Sequence, residues 1–124
     1  MSDIAATILV VDDDLFTAEL TGMVLKMSGF EVIIAEGGLD ALEKIAENSA
    51  ICLVVSDMNM PFMDGVQLFK ELREQEYSQP FVLLTGDNAE PLKSVHPDMD
   101  AILTKDENMQ TVLPELIKTL LARS

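Results

Sequence analysis

Five short, uninterrupted apolar runs that alternate with longer segments of helical period constrain this chain more than any other feature. The runs occupy residues 8–11, 32–35, 51–55, 81–84 and 101–103, with no linker between them. Strands that are apolar at consecutive positions are typical of a parallel sheet covered by helices on both faces. The 124 residues suffice for one such core. We therefore expect a single α/β domain over residues 1–124.

The segment after the first run has a clear helical period. Its apolar residues recur every three or four positions and are Phe16, Leu20, Met23, Val24 and Met27. Asp13 or Asp14 is placed to cap the start of this helix, and Gly29 to end it. The same period predicts further helices over residues 39–46, 66–72 and 112–121. Because Pro114 is tolerated in a first turn, we expect the last helix to begin at Asn108 or Thr111.

The fourth connection, residues 86–100, is the weakest helical segment. It carries Pro91 and Pro97, and only Leu92 and Val95 offer apolar helical contacts. We expect one short or distorted helix there. With right-handed crossovers, the whole pattern predicts a flavodoxin-like, doubly wound, five-stranded parallel sheet of strand order 2-1-3-4-5, whose binding site lies at the carboxyl edge of the strands.

The charge balance limits the partners of the chain. Eight Lys and Arg stand against 22 Asp and Glu, for a net charge of -14. Such a field repels phosphate backbones and anionic lipids, so we expect no direct binding to nucleic acid. No apolar run approaches the roughly 18 residues of a membrane span, which predicts no membrane insertion. The N-terminus has no signal peptide, so we expect a cytoplasmic protein.

Polar and charged residues follow the predicted strands that are neighbours in this topology. They are Asp12, Asp13 and Asp14 after the first run, Asp57 after the third, Thr85 after the fourth and Lys105 after the fifth. Two unit charges about 4 Å apart repel by about 4 kcal/mol at an effective dielectric of 20, so crowded carboxylates need compensation. Lys105 offsets one charge. The remainder calls for a divalent cation with oxygen ligands, and we expect Mg²⁺.

A metal held by few carboxylates leaves coordination positions for a phosphoryl group. Asp57 is then placed to act as a nucleophile and form an acyl phosphate. The Lys105 ammonium and the Thr85 hydroxyl would stabilise charge on the transferring oxygens. The predicted chemistry is phosphoryl transfer by positioning and electrostatics.

Four motifs, in order along the chain, resemble the response-regulator receiver domain of two-component signalling, the CheY-like family. They are ILVVDDD at 8–14, SDMNMPFMDG at 56–65, LTG at 84–86 and LTK at 103–105. The resemblance implies a phosphorelay receiver that takes a phosphoryl group from a phosphohistidine of a sensor histidine kinase or phosphotransfer protein. It implies signalling to a downstream effector protein or domain by switching protein–protein interactions. It also implies that the chain is not an enzyme, and that it at most catalyses its own phosphoryl transfer and dephosphorylation.

The resemblance also implies a role for each matching residue. Asp57 would be the phospho-acceptor, Thr85 the switch hydroxyl and Lys105 the phosphoryl-binding cation. The Mg²⁺ site would be formed by Asp12, Asp13, Asp57 and the backbone carbonyl of Asn59, with Asp13 as the more direct of the acid pair.

Two positions depart from the family pattern. Asp106 stands where receivers usually have proline after the lysine, and a cis bond without proline costs about 2.5 to 4 kcal/mol. Ile102 stands where an aromatic residue usually swings inward. These departures keep one alternative open, a receiver-like module that binds partners independently of phosphorylation. The intact Asp57, Thr85 and Lys105 favour the phospho-accepting function.

Overall fold

The computed structural model describes residues 5–123, in which five strands alternate with five helices. The strands are β1 (Thr7–Val11), β2 (Glu31–Ala35), β3 (Ile51–Asp57), β4 (Phe81–Thr85) and β5 (Ala101–Thr104). The helices are α1 (Leu15–Met27), α2 (Gly38–Glu47), α3 (Gly65–Glu74), α4 (Ala89–Val95) and α5 (Met109–Arg123). Within these residues no helix is long and apolar enough to cross a membrane.

The five strands form one parallel sheet in the order β2-β1-β3-β4-β5. This is the flavodoxin-like, doubly wound α/β fold that the alternation of runs and helices predicts. The strand order reverses between β1 and β3, so the loops that follow these strands diverge and open a crevice at the carboxyl edge. Residues that directly follow β1 and β3 therefore lie beside each other.

Two apolar clusters cover the faces of the sheet. One lies under α2, α3 and α4 and includes Leu9, Phe69 and Phe81. The other lies under α1 and α5 and includes Leu25 and Ile117. β4 is buried along its whole length, whereas only Ala35 of the edge strand β2 is buried. The core thus holds β1, β3 and β4 rigidly from both sides and positions their carboxyl ends.

Helix α1 forms where its period predicts it, with Asp14 as its N-cap, but most of its apolar residues do not face the core. Phe16 is 69% exposed and Met27 is 82% exposed. The buried face consists of Ala18, Thr21, Gly22 and Leu25. A Cβ at Gly22 would lie 3.2 Å from the Val32 side chain, so small residues bring this face close to the sheet. The period predicted the helix correctly, but it does not predict which face is buried.

The last two helices differ in detail from expectation. α4 has seven residues and is short, as predicted, but Val95 is 69% exposed and makes no core contact of the kind expected. α5 begins at Met109, so Pro114 is its sixth residue and lies in the second turn. Pro114 cannot donate to the Gln110 carbonyl, and its ring is buried. Packing against the core outweighs the lost hydrogen bond.

Candidate functional site

Three carboxylates meet at the carboxyl edge of the sheet. Asp12 directly follows β1, and Asp57 is the last residue of β3 rather than the first after it. Both are buried, at 5% and 8% exposure, whereas Asp13 is exposed. One carboxylate oxygen from each of the three lies within 4.8 Å of the others. Asp14, the third acid of the run, instead caps α1.

Lys105, the residue after β5, is the cation of this cluster. Its Nζ lies 2.6 Å from Oδ1 of Asp57 and 3.8 Å from Oδ2 of Asp12. The Lys105 backbone N–H donates to the Thr85 carbonyl at 2.7 Å, which extends the pairing of β4 and β5 and fixes where the side chain starts. One ammonium faces three carboxylates, so the cluster keeps an excess of negative charge.

Asp12 is held in an environment that disfavours its charge. Burial raises the pKa of its carboxyl, and the neighbouring charge of Asp57 raises the pKa further. The Asp14 backbone N–H, which donates to Oδ1 of Asp12 at 2.9 Å, and the Lys105 ammonium act in the opposite direction. The pKa is raised on balance, because these two partners do not fully replace the lost water.

A hydroxyl and an open space complete the edge. Thr85, the last residue of β4, is 1% exposed, and its hydroxyl oxygen accepts the Asp87 backbone N–H at 3.1 Å. The hydroxyl proton remains available to another acceptor. A Cβ at Gly86 would have no atom within 4 Å other than those of its two chain neighbours, so the space beside Gly86 is open. Asn59 lies exposed in the loop after β3.

The start of α3 packs directly against the end of β3. The Gly65 N–H donates to the Met58 carbonyl at 2.9 Å, and a Cβ at Gly65 would lie 2.5 Å from the Asp57 carbonyl oxygen. Asp64 and Gln67 form a capping box that fixes the first turn of α3. Only glycine permits this close approach, which holds the backbone of Asp57 in place.

Sequence reasoning missed one residue near this edge, Thr104. Its hydroxyl oxygen accepts the Ala89 backbone N–H at 3.1 Å and so ties the first residue of α4 to the end of β5. The sequence signal that could have pointed to Thr104 is its position directly before Lys105. Ile102, at the position expected to be aromatic, is buried at 3% exposure. No peptide bond between described residues is cis, including the one between Lys105 and Asp106.

The donor set fits a hard divalent cation. Carboxylate oxygens are the ligands that Mg²⁺ prefers, and few of them are needed because the ion retains several waters. The three acids offer such oxygens within 4.8 Å of one another, and a bound cation would remove the cost of ionising Asp12. A nucleophilic carboxylate, an ammonium and a hydroxyl beside an open space can support transfer of an anionic group.

Comparison with known proteins gives one consistent family. The family model for the response regulator receiver domain matches residues 8–117. The transcriptional regulatory protein CpxR homolog of Haemophilus influenzae is 34% identical over 119 residues, 94% of this chain and 51% of that protein. Transcriptional regulatory protein GlrR of Escherichia coli is 36% identical over 91 residues, 73% of this chain and 20% of that protein. The chain thus spans about a fifth to a half of these relatives.

Solved structures agree with the sequence comparisons. The response regulator protein TrrA of Thermotoga maritima, in complex with Mg²⁺-BeF, superposes with a TM-score of 0.81 at 31% identity, covering 92% of this chain and 97% of that one. The receiver domain of a Francisella response regulator superposes with a TM-score of 0.86 at 28% identity, covering 95% and 98% of the two chains. The sequence comparisons and the structural comparisons therefore point to the same family of response regulator proteins.

Proposed function

The chain belongs to the response regulator receiver domain family of two-component signalling, and from that premise we propose that Asp57 is its phospho-acceptor. Receiver domains are signalling modules rather than classical enzymes. The observation that carries the proposal is the buried Asp57 carboxylate, with Oδ1 2.6 Å from the Lys105 ammonium and an oxygen of each of two further acids within 4.8 Å. The exposed Asp98, by comparison, lacks these neighbours.

In the proposed reaction, a carboxylate oxygen of Asp57 attacks the phosphorus of a phosphohistidine on a sensor histidine kinase or phosphotransfer protein. A new O–P bond forms as the P–N bond breaks, and the electron pair of the broken bond stays on the imidazole nitrogen. The product is an acyl phosphate. Lys105 then pairs with a phosphoryl oxygen instead of with the Asp57 carboxylate. The Thr85 hydroxyl donates a hydrogen bond to a second phosphoryl oxygen.

Mg²⁺ would be held by Asp12, Asp13, Asp57 and the backbone carbonyl of Asn59. When bound, it supplies positive charge that offsets the carboxylates and the oxygens of the transferring group. The crowded oxygens support this assignment, as does the Mg²⁺-BeF complex of the related TrrA of Thermotoga maritima. Hydrolysis of the acyl phosphate would be the only further reaction assigned to the domain itself.

The output of the proposed switch is protein binding. The hydroxyl of Thr85 would turn toward the phosphoryl group and release the Asp87 N–H that it accepts at 3.1 Å, which biases the loop before α4 between two arrangements. A downstream effector protein or domain would read this difference. We also propose that residues 1–124 act as one receiver domain, and the cytoplasmic location stays a prediction.

The proposal is tested by incubating the chain with acetyl phosphate and Mg²⁺ and measuring intact mass. We expect one added phosphoryl group, no addition for Asp57→Asn, and normal addition for the matched control Asp98→Asn, which changes an exposed acid in the loop before β5. Chelation of Mg²⁺ should prevent the addition. Labelling that persists in Asp57→Asn would place the acceptor elsewhere. A wild-type chain that stays unlabelled would contradict the proposed acceptor and favour the alternative, a module that binds partners independently of phosphorylation.

A further inference from the structure

One face of α1 is apolar and exposed. Four residues form it, and we call them the α1 seam: Phe16 (69% exposed), Leu20 (39%), Met23 (56%) and Met27 (82%). They lie opposite the buried face of the helix, which includes Ala18 and Leu25. Contiguous exposed apolar side chains of this size mark interaction surfaces in proteins.

The spacing of the α1 seam indicates what covers it. Steps of four, three and four residues are the a and d positions of a heptad, the pattern by which one helix packs along another at a shallow angle. The seam is about 16 Å long at 1.5 Å per residue. A helix is therefore the matching shape.

The charges beside the seam are self-complementary. In the heptad set by the seam, Glu19 and Lys26 both occupy g positions and lie on the same flank. Both are exposed, and neither forms an ion pair with another described residue. When two such helices run antiparallel, g positions face g positions, so Glu19 of one copy lies opposite Lys26 of the other, twice.

The same two-fold arrangement pairs the apolar residues. Phe16 lies against Met27 of the second copy, and Leu20 lies against its Met23. A parallel pairing would instead place Glu19 opposite Val24 of the second copy and leave Lys26 without an opposite charge. Of the two arrangements, only the antiparallel one pairs the apolar residues of the seam and also places Glu19 opposite Lys26.

We propose that the α1 seam binds the α1 seam of a second copy of this chain, forming an antiparallel, two-fold symmetric dimer. Such interfaces are self-complementary by symmetry. The contact is short and each copy carries a net charge of -14, so we expect a weak dimer with a dissociation constant on the order of 10 to 100 µM. It requires no phosphoryl group and does not depend on the role proposed for Asp57.

The test is sedimentation equilibrium of the full chain from about 1 µM to about 1 mM, without phosphodonor. Glu19→Lys and Lys26→Glu should each weaken the dimer about tenfold, because each places like charges opposite one another. The double variant Glu19→Lys with Lys26→Glu should restore wild-type association. Met23→Glu should abolish it. All three positions are exposed, and an unchanged melting temperature checks that each of the four variants folds.

The two single variants change the net charge by two units in opposite directions, which separates specific pairing from general repulsion. General repulsion alone would make Glu19→Lys associate more strongly and Lys26→Glu more weakly, and that result would overturn the proposal. Failure of the double variant to restore association would overturn it as well. A chain that stays monomeric at every concentration would overturn the proposal and leave a helix of another protein, such as the phosphodonor, as the occupant to test.

Discussion

At the scale of single residues, Asp12 shows how the site opposes folding when no cation is bound. Its pKa is raised, chiefly by burial and then by the charge of Asp57. A carboxyl whose pKa is higher in the folded state than in the unfolded chain stabilises the fold fully below its unfolded pKa. That stabilisation is lost as the pH rises through the folded pKa. At neutral pH, ionised Asp12 therefore destabilises the metal-free protein.

We expect Asp12→Asn to raise the melting temperature by about 3 °C at pH 7 in the presence of a chelator. The amide removes the buried charge, and its oxygen still accepts the Asp14 N–H. The gain should shrink toward pH 4, where Asp12 of the wild type is increasingly protonated. Circular dichroism at both pH values measures this. Asp98→Asn serves as control and should change little; a lower melting temperature for Asp12→Asn would show that the acids do not strain the fold.

At the scale of secondary-structure elements, the junction of β3 and α3 decides where Asp57 points. Gly65 begins α3 within hydrogen-bond distance of the Met58 carbonyl, and the space for a Cβ is filled by the Asp57 carbonyl and the Leu83 side chain. The capping box of Asp64 and Gln67 fixes the same first turn of the helix. Asp57, the proposed nucleophile, is thus positioned by main-chain packing as well as by its own side-chain contacts.

Gly65→Ala should lower stability by about 2 kcal/mol, because the methyl group overpacks this junction. It should also slow phosphoryl incorporation at Asp57, because α3 or the backbone of Asp57 must shift. Thermal unfolding and intact-mass time courses measure the two effects. Gly86→Ala is the matched control for stability, since a Cβ there would have no atom within 4 Å other than those of its chain neighbours. An equal loss of stability in the two variants would contradict the close approach at Gly65.

At the scale of the whole molecule, the acidic cluster lies at the carboxyl ends of the strands, and a separate stabilising network lies at the amino ends of β4 and β5. Away from the acidic cluster, Arg73 donates to the Tyr77 carbonyl at 2.7 Å and to Asp100 at 3.1 Å. Its guanidinium also lies 4.6 Å from the ring centre of Phe69. Asp100 in turn accepts the Phe81 N–H at 2.8 Å, where β4 begins. This network joins α3 to the amino ends of β4 and β5 and contributes stability without contacting the site.

Arg73→Ala should lower the melting temperature by about 4 °C, equivalent to about 1 kcal/mol for a half-exposed network. The rate of phosphoryl incorporation from acetyl phosphate should remain as in the wild type, whereas Lys105→Ala should reduce it. Lys70→Ala, on the exposed side of the same helix, is the control for loss of a positive charge. A slower rate for Arg73→Ala at a temperature where the variant is folded would mean that the two ends of the sheet are coupled.

The contrast between α1 and β4 shows how far sequence alone reaches. In β4 every residue is apolar up to Thr85 and every one is buried, so the pattern and the environment agree. In α1 the apolar residues Phe16 and Met27 are exposed, and the small residues Ala18 and Gly22 face the sheet. The helical period of the apolar residues reflects local backbone geometry. Which face of the helix is buried depends instead on how closely the helix and the sheet can approach each other.

By itself, the sequence determined the α/β alternation and the set of polar residues that follow the strands. Those properties follow from local periodicity and chain connectivity. Right-handed crossovers restrict the strand order without fixing it, and the predicted order 2-1-3-4-5 is one of the common doubly wound arrangements. Only the tertiary structure decided that Asp12 is buried while Asp13 is exposed, that Lys105 pairs with Asp57, and that α1 presents an apolar face outward. These features depend on distances between segments that are far apart in the chain. Those distances are determined by the packing of the complete core.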